Sequence, residues 1–381
     1  MISMKFDKYI DERKGIFVTK PSLPPLDEYV EYLKKVWDTN ILTNFGPLHE
    51  EFRERLTKFL DVPLCLPSCN GHMALELTIQ AFGLKGEVIT TPYTFASTTH
   101  AIVRNGCTPV FCDVNENDCT IDANKIEALI TDKTVAILPV HVYGIPCNVE
   151  EIERIAKKHG LVVIYDAAHA FGVSVGGKSI AKFGDASMFS FHATKAFNTI
   201  EGGCVALKDM NLALKLFQLA NFGIMGEEVV TGIGANAKMN EFQAAMGLCN
   251  LDHFAENVEM RKKVYELYEK MLTSINGVRM LKPYRDDVVM NYAYCPVFFD
   301  EKILGKTRDV VYDYLTSKNI YPRKYFFPLT SEFECYRNGN YKGNTEVAKK
   351  ISRQVLTLPI YPELDLKDVK TICGLIKEFL V

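Results

Sequence analysis

Between residues 50 and 250, short uninterrupted apolar runs alternate with longer stretches in which apolar residues return every three or four positions. The runs at 88–90, 109–114, 135–140, 161–165, 186–191 and 204–207 show no in–out alternation, so each reads as a strand covered on both faces. Buried strands separated by helical segments predict an α/β fold, with a mostly parallel central sheet between helix layers. The helix after Asn148 carries its own start signal, an Asn followed three residues on by Glu151, and Ile152, Ile155 and Ala156 then share one face. The link between 186–191 and 204–207 is too short for a helical crossover, which leaves an antiparallel pairing open there.

Beyond residue 250 the texture changes. A long charged helix, roughly 251–275, leads into fewer buried runs: strands at 278–281 and 292–299, a helix near 308–318 and a closing helix at 366–380. Two domains are expected: 1–250, an N-terminal arm (helix at 26–37, turn at 44–47) with a large ligand-binding domain, and 251–381, the linking helix with a smaller C-terminal α+β domain.

Composition narrows the class. The 381 residues are 48% hydrophobic and 24% charged, which excludes a disordered chain. Lys plus Arg (44) nearly balance Asp plus Glu (47), so the basic footprint of a nucleic-acid binder is missing. Eleven cysteines include no C-x-x-C and no histidines at zinc spacing, so free thiols in a reducing compartment are expected, and no metal. The N-terminal segment MISMKFDKYIDERKGIF is too charged for a leader, and no apolar run is long enough to span a membrane. A cytoplasmic chain is the expectation.

In parallel α/β sheets, ligands gather beyond the carboxyl ends of the strands. Asp166 follows the run LVVIY directly; it either caps the next element or holds a cationic group. His169, three residues on, would by itself be a partly buried, satisfied histidine. Lys195 lies just past another run, among Phe189, Phe191, Ala193, Ala196 and Phe197, with no carboxylate before Glu201. A desolvated lysine spends more time as the neutral amine that attacks a carbonyl, and Gly202–Gly203 would let backbone approach a ligand closely. In SCNGHMALEL, Gly71 and His72 stand at the first N–H groups of a helix, an anion site or an ordinary cap. In TPYTFAST, Tyr93 and Phe95 follow a strand end, as core or as a stacking face. Together these supply an amine, a carboxylate, a helix N-terminus and an aromatic face, which is the set of contacts pyridoxal 5'-phosphate requires.

Those motifs, with LTNFGPLHEEF, PVHVYG, DAAHAFG, SFHATKAFNTIEGG, ANAKMNEFQAAMGL, RKYFFPL and LPIYP, resemble the DegT-type sugar-nucleotide aminotransferases, fold-type-I pyridoxal-phosphate enzymes, across essentially the whole chain. The resemblance implies that Lys195 is the Schiff-base lysine, Asp166 the partner of the pyridine nitrogen, and His169 a neighbour of the cofactor's phenolic oxygen. It also implies that Phe95 stacks on the ring and that Gly71, His72 and Ser190 hold the phosphate. Asn236 would reach the phosphate of a neighbouring subunit's cofactor, implying a homodimer with shared sites; without the resemblance it reads as a helix cap. Glu201, Arg323, Lys324 and Tyr325 are candidates for sugar or diphosphate contacts. Lys238 and His72 depart from the commoner Arg and Thr of this family.

The implied reaction moves an amino group from L-glutamate to a nucleotide-linked keto-sugar, with C4 of dTDP-4-keto-6-deoxyglucose as the expected acceptor, for polysaccharide or O-antigen sugars. The stretch SFHATK favours C4 over C3 amination, since C3-aminating relatives more often read SFYP-x-K. Alternatives are a C3 transaminase, a pyridoxal-phosphate sugar dehydratase (disfavoured by Lys195), a non-catalytic relative, and a nicotinamide oxidoreductase (disfavoured by the lack of G-x-G-x-x-G after a strand).

Overall fold

All six apolar runs form strands in the computed structural model, which describes residues 15–380 apart from 338, 340 and 342. The segment 1–14, which the sequence reads as no leader, lies outside the described residues. The central sheet holds β1 (Leu64–Ser68), β2 (Glu87–Thr90), β3 (Thr108–Phe111), β4 (Thr134–Leu138), β5 (Val162–Asp166), β6 (Ala186–Ser190) and β7 (Gly203–Leu207). Their spatial order is β1-β7-β6-β5-β4-β2-β3. Pairing is parallel from β6 to β3, and β7 is antiparallel to both of its neighbours. The short link before β7 therefore does make an antiparallel pair.

The run at 109–114 is shorter as a strand than expected: pairing stops at Phe111, and Val114 makes only an isolated bridge to Ile121. β1 was not expected at all. Its Pro67 argues against a central strand, and the sheet resolves the conflict by placing β1 at an edge, with Pro67 opposite Cys204.

Ten helices matter here: α1 (Leu26–Thr39), α2 (Pro47–Leu60), α3 (Gly71–Phe82), α4 (Ala96–Arg104), α5 (Val149–His159), α6 (Met210–Ala220), α7 (Glu241–Leu272), α8 (Arg308–Ser317), α9 (Glu346–Ser352) and α10 (Leu366–Leu380). Alternate strand residues feed two cores. Val163 and Tyr165 join Phe52, Phe171, Phe191 and Phe197 on one face, while Ile164 joins Leu75, Ile102 and Leu216 on the other.

The helix expected over 251–275 starts ten residues earlier, because Asn240 and Gln243 form a capping box. Residue 250 thus lies inside α7, which packs against the sheet with its first turns and enters the C-terminal core with Val264, Tyr268 and Leu272. Its first residue, Glu241, is buried and accepts the Leu48 and His49 N–H groups at the start of α2 (2.8 and 2.9 Å). The C-terminal unit is an antiparallel sheet, β8 (Val278–Met280), β9 (Cys295–Phe299) and β10 (Val355–Leu358), in that order. Asp113, just past β3, accepts the Val347 and Ala348 N–H groups of α9 (3.1 and 2.8 Å) and ties this unit to the sheet.

Candidate active site

β1, β2, β4, β5 and β6 run the same way, so the segments leaving them meet along one edge of the sheet, joined there by the start of β7. Asp166 is the last residue of β5. Its backbone is locked by bonds to Pro139 and His141, and its side chain is buried. Thr98 Oγ1 donates to one carboxylate oxygen (2.7 Å) and the Ala168 N–H to the other (3.1 Å). Burial raises this carboxyl above its ordinary range, opposed by those two donors and by the positive charge of Lys195. A buried carboxylate with spare acceptor capacity and an amine in range is a place for a cationic ring nitrogen.

His169 lies one turn further on and is also buried. Its Nδ1 accepts the Tyr143 N–H (3.1 Å), which leaves Nε2 as the proton-bearing nitrogen of a neutral ring. Phe326 stacks parallel to it (5.7 Å, 3°). Burial depresses His169 well below the usual imidazole value, takes His141 to about 3 and lowers His49 as well. At pH below about 6.5 the unfolded chain takes up protons that these buried rings refuse, so stability falls with pH. We expect the urea-unfolding free energy to drop between pH 7 and pH 5, with His141 alone contributing about 2 kcal/mol. A flat profile would contradict this.

Lys195 is half-buried rather than dry, and its Nζ donates to Tyr294 Oη (3.1 Å). Tyr294 was not foreseen from the sequence, where it sits in the run 292–299 and reads as core. The phosphate candidates converge at the start of α3. Asn70 caps this helix by accepting the Met73 N–H (2.8 Å), which leaves the Gly71 and His72 N–H groups outside the helix's own bonds. Ser190 lies against Gly71, where an added Cβ would stand 2.8 Å from the Ser190 Cβ. The His72 side chain turns aside, to Ser97 (2.9 Å) and Glu76 (3.2 Å).

The expectation for Gly203 needs correction. A Cβ there would meet the Gly71 backbone at 2.8 Å and the Phe189 carbonyl at 2.7 Å. The glycine admits neighbouring protein backbone rather than a ligand.

Phe95 is 60% exposed at the N-cap of α4, on the rim of the site. Asn236 is exposed and does not cap α7, a role filled by Asn240; its carbonyl lies 4.0 Å from Cys69 Sγ, beside the α3 N-terminus. Glu201 faces His192 (3.5 Å), and its carbonyl is held by Thr199 and Gln243 (both 2.7 Å). Arg323 is exposed, bridged through its backbone to Thr357. Lys324 pairs with Asp309 (2.5 Å) and lies over Tyr312, so its ammonium is engaged within the C-terminal unit. Tyr325 is near enough to Lys195 to feel its charge, and its carbonyl accepts from the Tyr93 and Tyr143 hydroxyls. Tyr93 is fully buried, as core.

The residues that could hold pyridoxal phosphate therefore fit its chemistry: free helix N–H groups beside a hydroxyl, a buried carboxylate, a neutral imidazole N–H and an amine. Among the described residues no group of three His, Cys, Asp or Glu side chains could hold a metal ion, and no helix is long and apolar enough to cross a membrane. The sequence profile of the DegT/DnrJ/EryC1/StrS aminotransferase family matches residues 26–377. A dTDP-4-amino-4,6-dideoxy-D-glucose transaminase of Shigella dysenteriae is 40% identical over 365 residues, 96% of this chain and 99% of that protein. One of the same name from Escherichia coli is 43% identical over 355 residues, 92% and 95% of the two chains. DesI, solved in the presence of its TDP-sugar product, superposes with a TM-score of 0.91 at 35% identity, covering 96% of this chain and 93% of its own. Matched nearly end to end by the profile, by curated relatives and by a solved fold, this chain belongs to the DegT/DnrJ/EryC1/StrS aminotransferase family.

Proposed function

We propose that this chain is a pyridoxal-phosphate aminotransferase that moves the amino group of L-glutamate to C4 of dTDP-4-keto-6-deoxyglucose, making a 4-amino-4,6-dideoxy sugar nucleotide for surface polysaccharide. The observation that carries the reading is the buried pair Asp166 and His169 within reach of the Lys195 charge, on the sheet edge where Ser190 lies against the free N-terminus of α3. The relatives' names select C4 over C3.

When bound, the cofactor supplies an electron sink for the charge left on a substrate carbon that loses its proton. Asp166, once its charge is matched by a ring nitrogen, keeps that nitrogen protonated. His169 would donate from Nε2 to the phenolic oxygen, and Phe95 would cover the ring face. Gly71 and His72 offer N–H groups, and Ser190 its hydroxyl, to the phosphate. Lys195 is the amine that would hold the cofactor covalently, and its Nζ, when free, would serve as the base at the amine-bearing substrate carbon. Glu201, Arg323 and Tyr325 border the sugar-nucleotide side.

The site reads as shared between two copies. Asn236 stands on a face with exposed Phe222, Met225, Val229, Val230 and Ile233, the last 90% exposed. A second copy covering this face would bring Asn236 to its neighbour's phosphate, and two-fold symmetry returns the contact.

The test is incubation with amine-labelled glutamate and a panel of keto-sugar nucleotides. We expect 2-oxoglutarate and a label on C4 of the dTDP-sugar, by mass and NMR. Label only on 3-keto acceptors, or no transfer, would overturn the reading.

A further inference from the structure

We infer that Tyr294 is a positioning residue for the Lys195 amine, holding it in one place whenever that amine is not bonded to cofactor. This rests on the proposed function and adds a residue to it. The geometry is specific: Lys195 Nζ to Tyr294 Oη is 3.1 Å, and Tyr294 is buried. Its ring is itself held, 4.7 Å from His169, 5.8 Å from Tyr143 and 6.2 Å from Tyr325.

The backbone around it is anchored twice. Tyr294 immediately precedes β9, whose pairing with β8 and β10 fixes it from one side. On the other side Asn291, buried, donates to the His169 and Phe171 carbonyls (2.8 and 2.9 Å) and accepts the Ala293 N–H (3.1 Å). The hydroxyl thus comes from the C-terminal unit and the amine from the sheet, while Asn291 docks one on the other beside His169. A lysine has four rotatable side-chain bonds and needs an acceptor to stay in one rotamer. Asp166 reaches it through charge, but among the described residues the hydroxyl that the amine bonds is that of Tyr294.

A free amine matters at two moments, capture of cofactor and proton transfer at the substrate carbon. In capture, the Lys195 nitrogen bonds the aldehyde carbon and its two protons leave with the carbonyl oxygen as water. An unheld amine searches rotamers first, so each event slows while the pocket stays intact.

The experiment uses cofactor-free full-length enzyme and the Tyr294→Phe variant, which keeps the ring. Covalent capture of pyridoxal phosphate is followed by stopped-flow absorbance. Affinity for pyridoxamine phosphate, which has no aldehyde to bond, is measured separately. We expect Y294F to slow capture roughly tenfold, the loss of one charge-assisted hydrogen bond, with pyridoxamine phosphate affinity within about twofold of wild type. Unchanged capture would overturn the inference, and so would a parallel fall in both readouts, which would make Tyr294 a wall of the pocket. Wild-type enzyme that captures no aldehyde at Lys195 would instead overturn the proposed function.

Discussion

Lys195→Ala is expected to abolish turnover, a loss of at least about a thousandfold, because it removes both the amine that bonds the cofactor and the base that moves the substrate proton. Borohydride treatment should fix pyridoxal phosphate to wild-type protein, and peptide mapping should place it on the peptide containing Lys195; the variant should carry none. The half-buried setting of Lys195 sharpens the expectation. His169 is held neutral by burial and bonded to the Tyr143 N–H, and Tyr294 offers a hydroxyl, so neither supplies a replacement amine. Transamination retained in the variant, or cofactor trapped on another lysine, would remove the mechanism.

Asp166→Asn should act in opposite directions on rate and on stability. With cofactor, the amide has one oxygen to accept from either Thr98 or Ala168, which donate to different oxygens of the carboxylate, and it no longer holds a proton on the ring nitrogen; turnover should fall by roughly a hundredfold or more. Without cofactor, the carboxyl is raised by burial, so the folded state holds its proton more tightly than the unfolded state does. Its favourable contribution is complete below the unfolded value of about 4 and is lost as pH climbs through the folded value. At pH 7 to 8 the buried charge is a cost, and cofactor-free Asp166→Asn should melt higher than wild type. The gap should close near pH 4. A variant that turns over as fast as wild type, or melts lower without cofactor at pH 8, would show that this carboxylate is not held for a cationic partner.

Both expectations rest on one feature, a cluster of buried polar groups assembled at the expense of local stability. Asp166 and three neutral histidines are buried where water would suit them better. Three of these four groups lie at one sheet edge, Asp166 at the end of β5 and His141 and His169 on the segments that leave β4 and β5, and the apolar layers on both faces of the sheet carry that cost.

Most of the sheet was legible because its buried strands are apolar runs, several of them separated by helical segments, a pattern that local composition and periodicity determine. The same holds for Asn148 capping α5 and for the closing helix at 366–380. Motif order was legible too: Asp166, His169, Ser190 and Lys195 stand at or just past strand ends, and the ends of parallel strands share an edge. β1 was not, since Pro67 contradicts a strand until the edge position is known. The start of α7 was hidden because its capping box lies inside a motif read for ligand chemistry.

What the chain determines by itself is therefore local: which segments are strands or helices, where they begin, and which reactive side chains stand at their ends. What only tertiary structure decided is who meets whom. Tyr294 reaches Lys195, Thr98 reaches Asp166 and the Tyr143 N–H reaches His169 across spans that no periodicity encodes. Lys324 is drawn to Asp309, and Gly203 makes room for Gly71. Spacing along a backbone constrains neighbours within a turn or a strand pair, whereas contacts between elements follow from how whole layers pack, and that is a property of the assembled core.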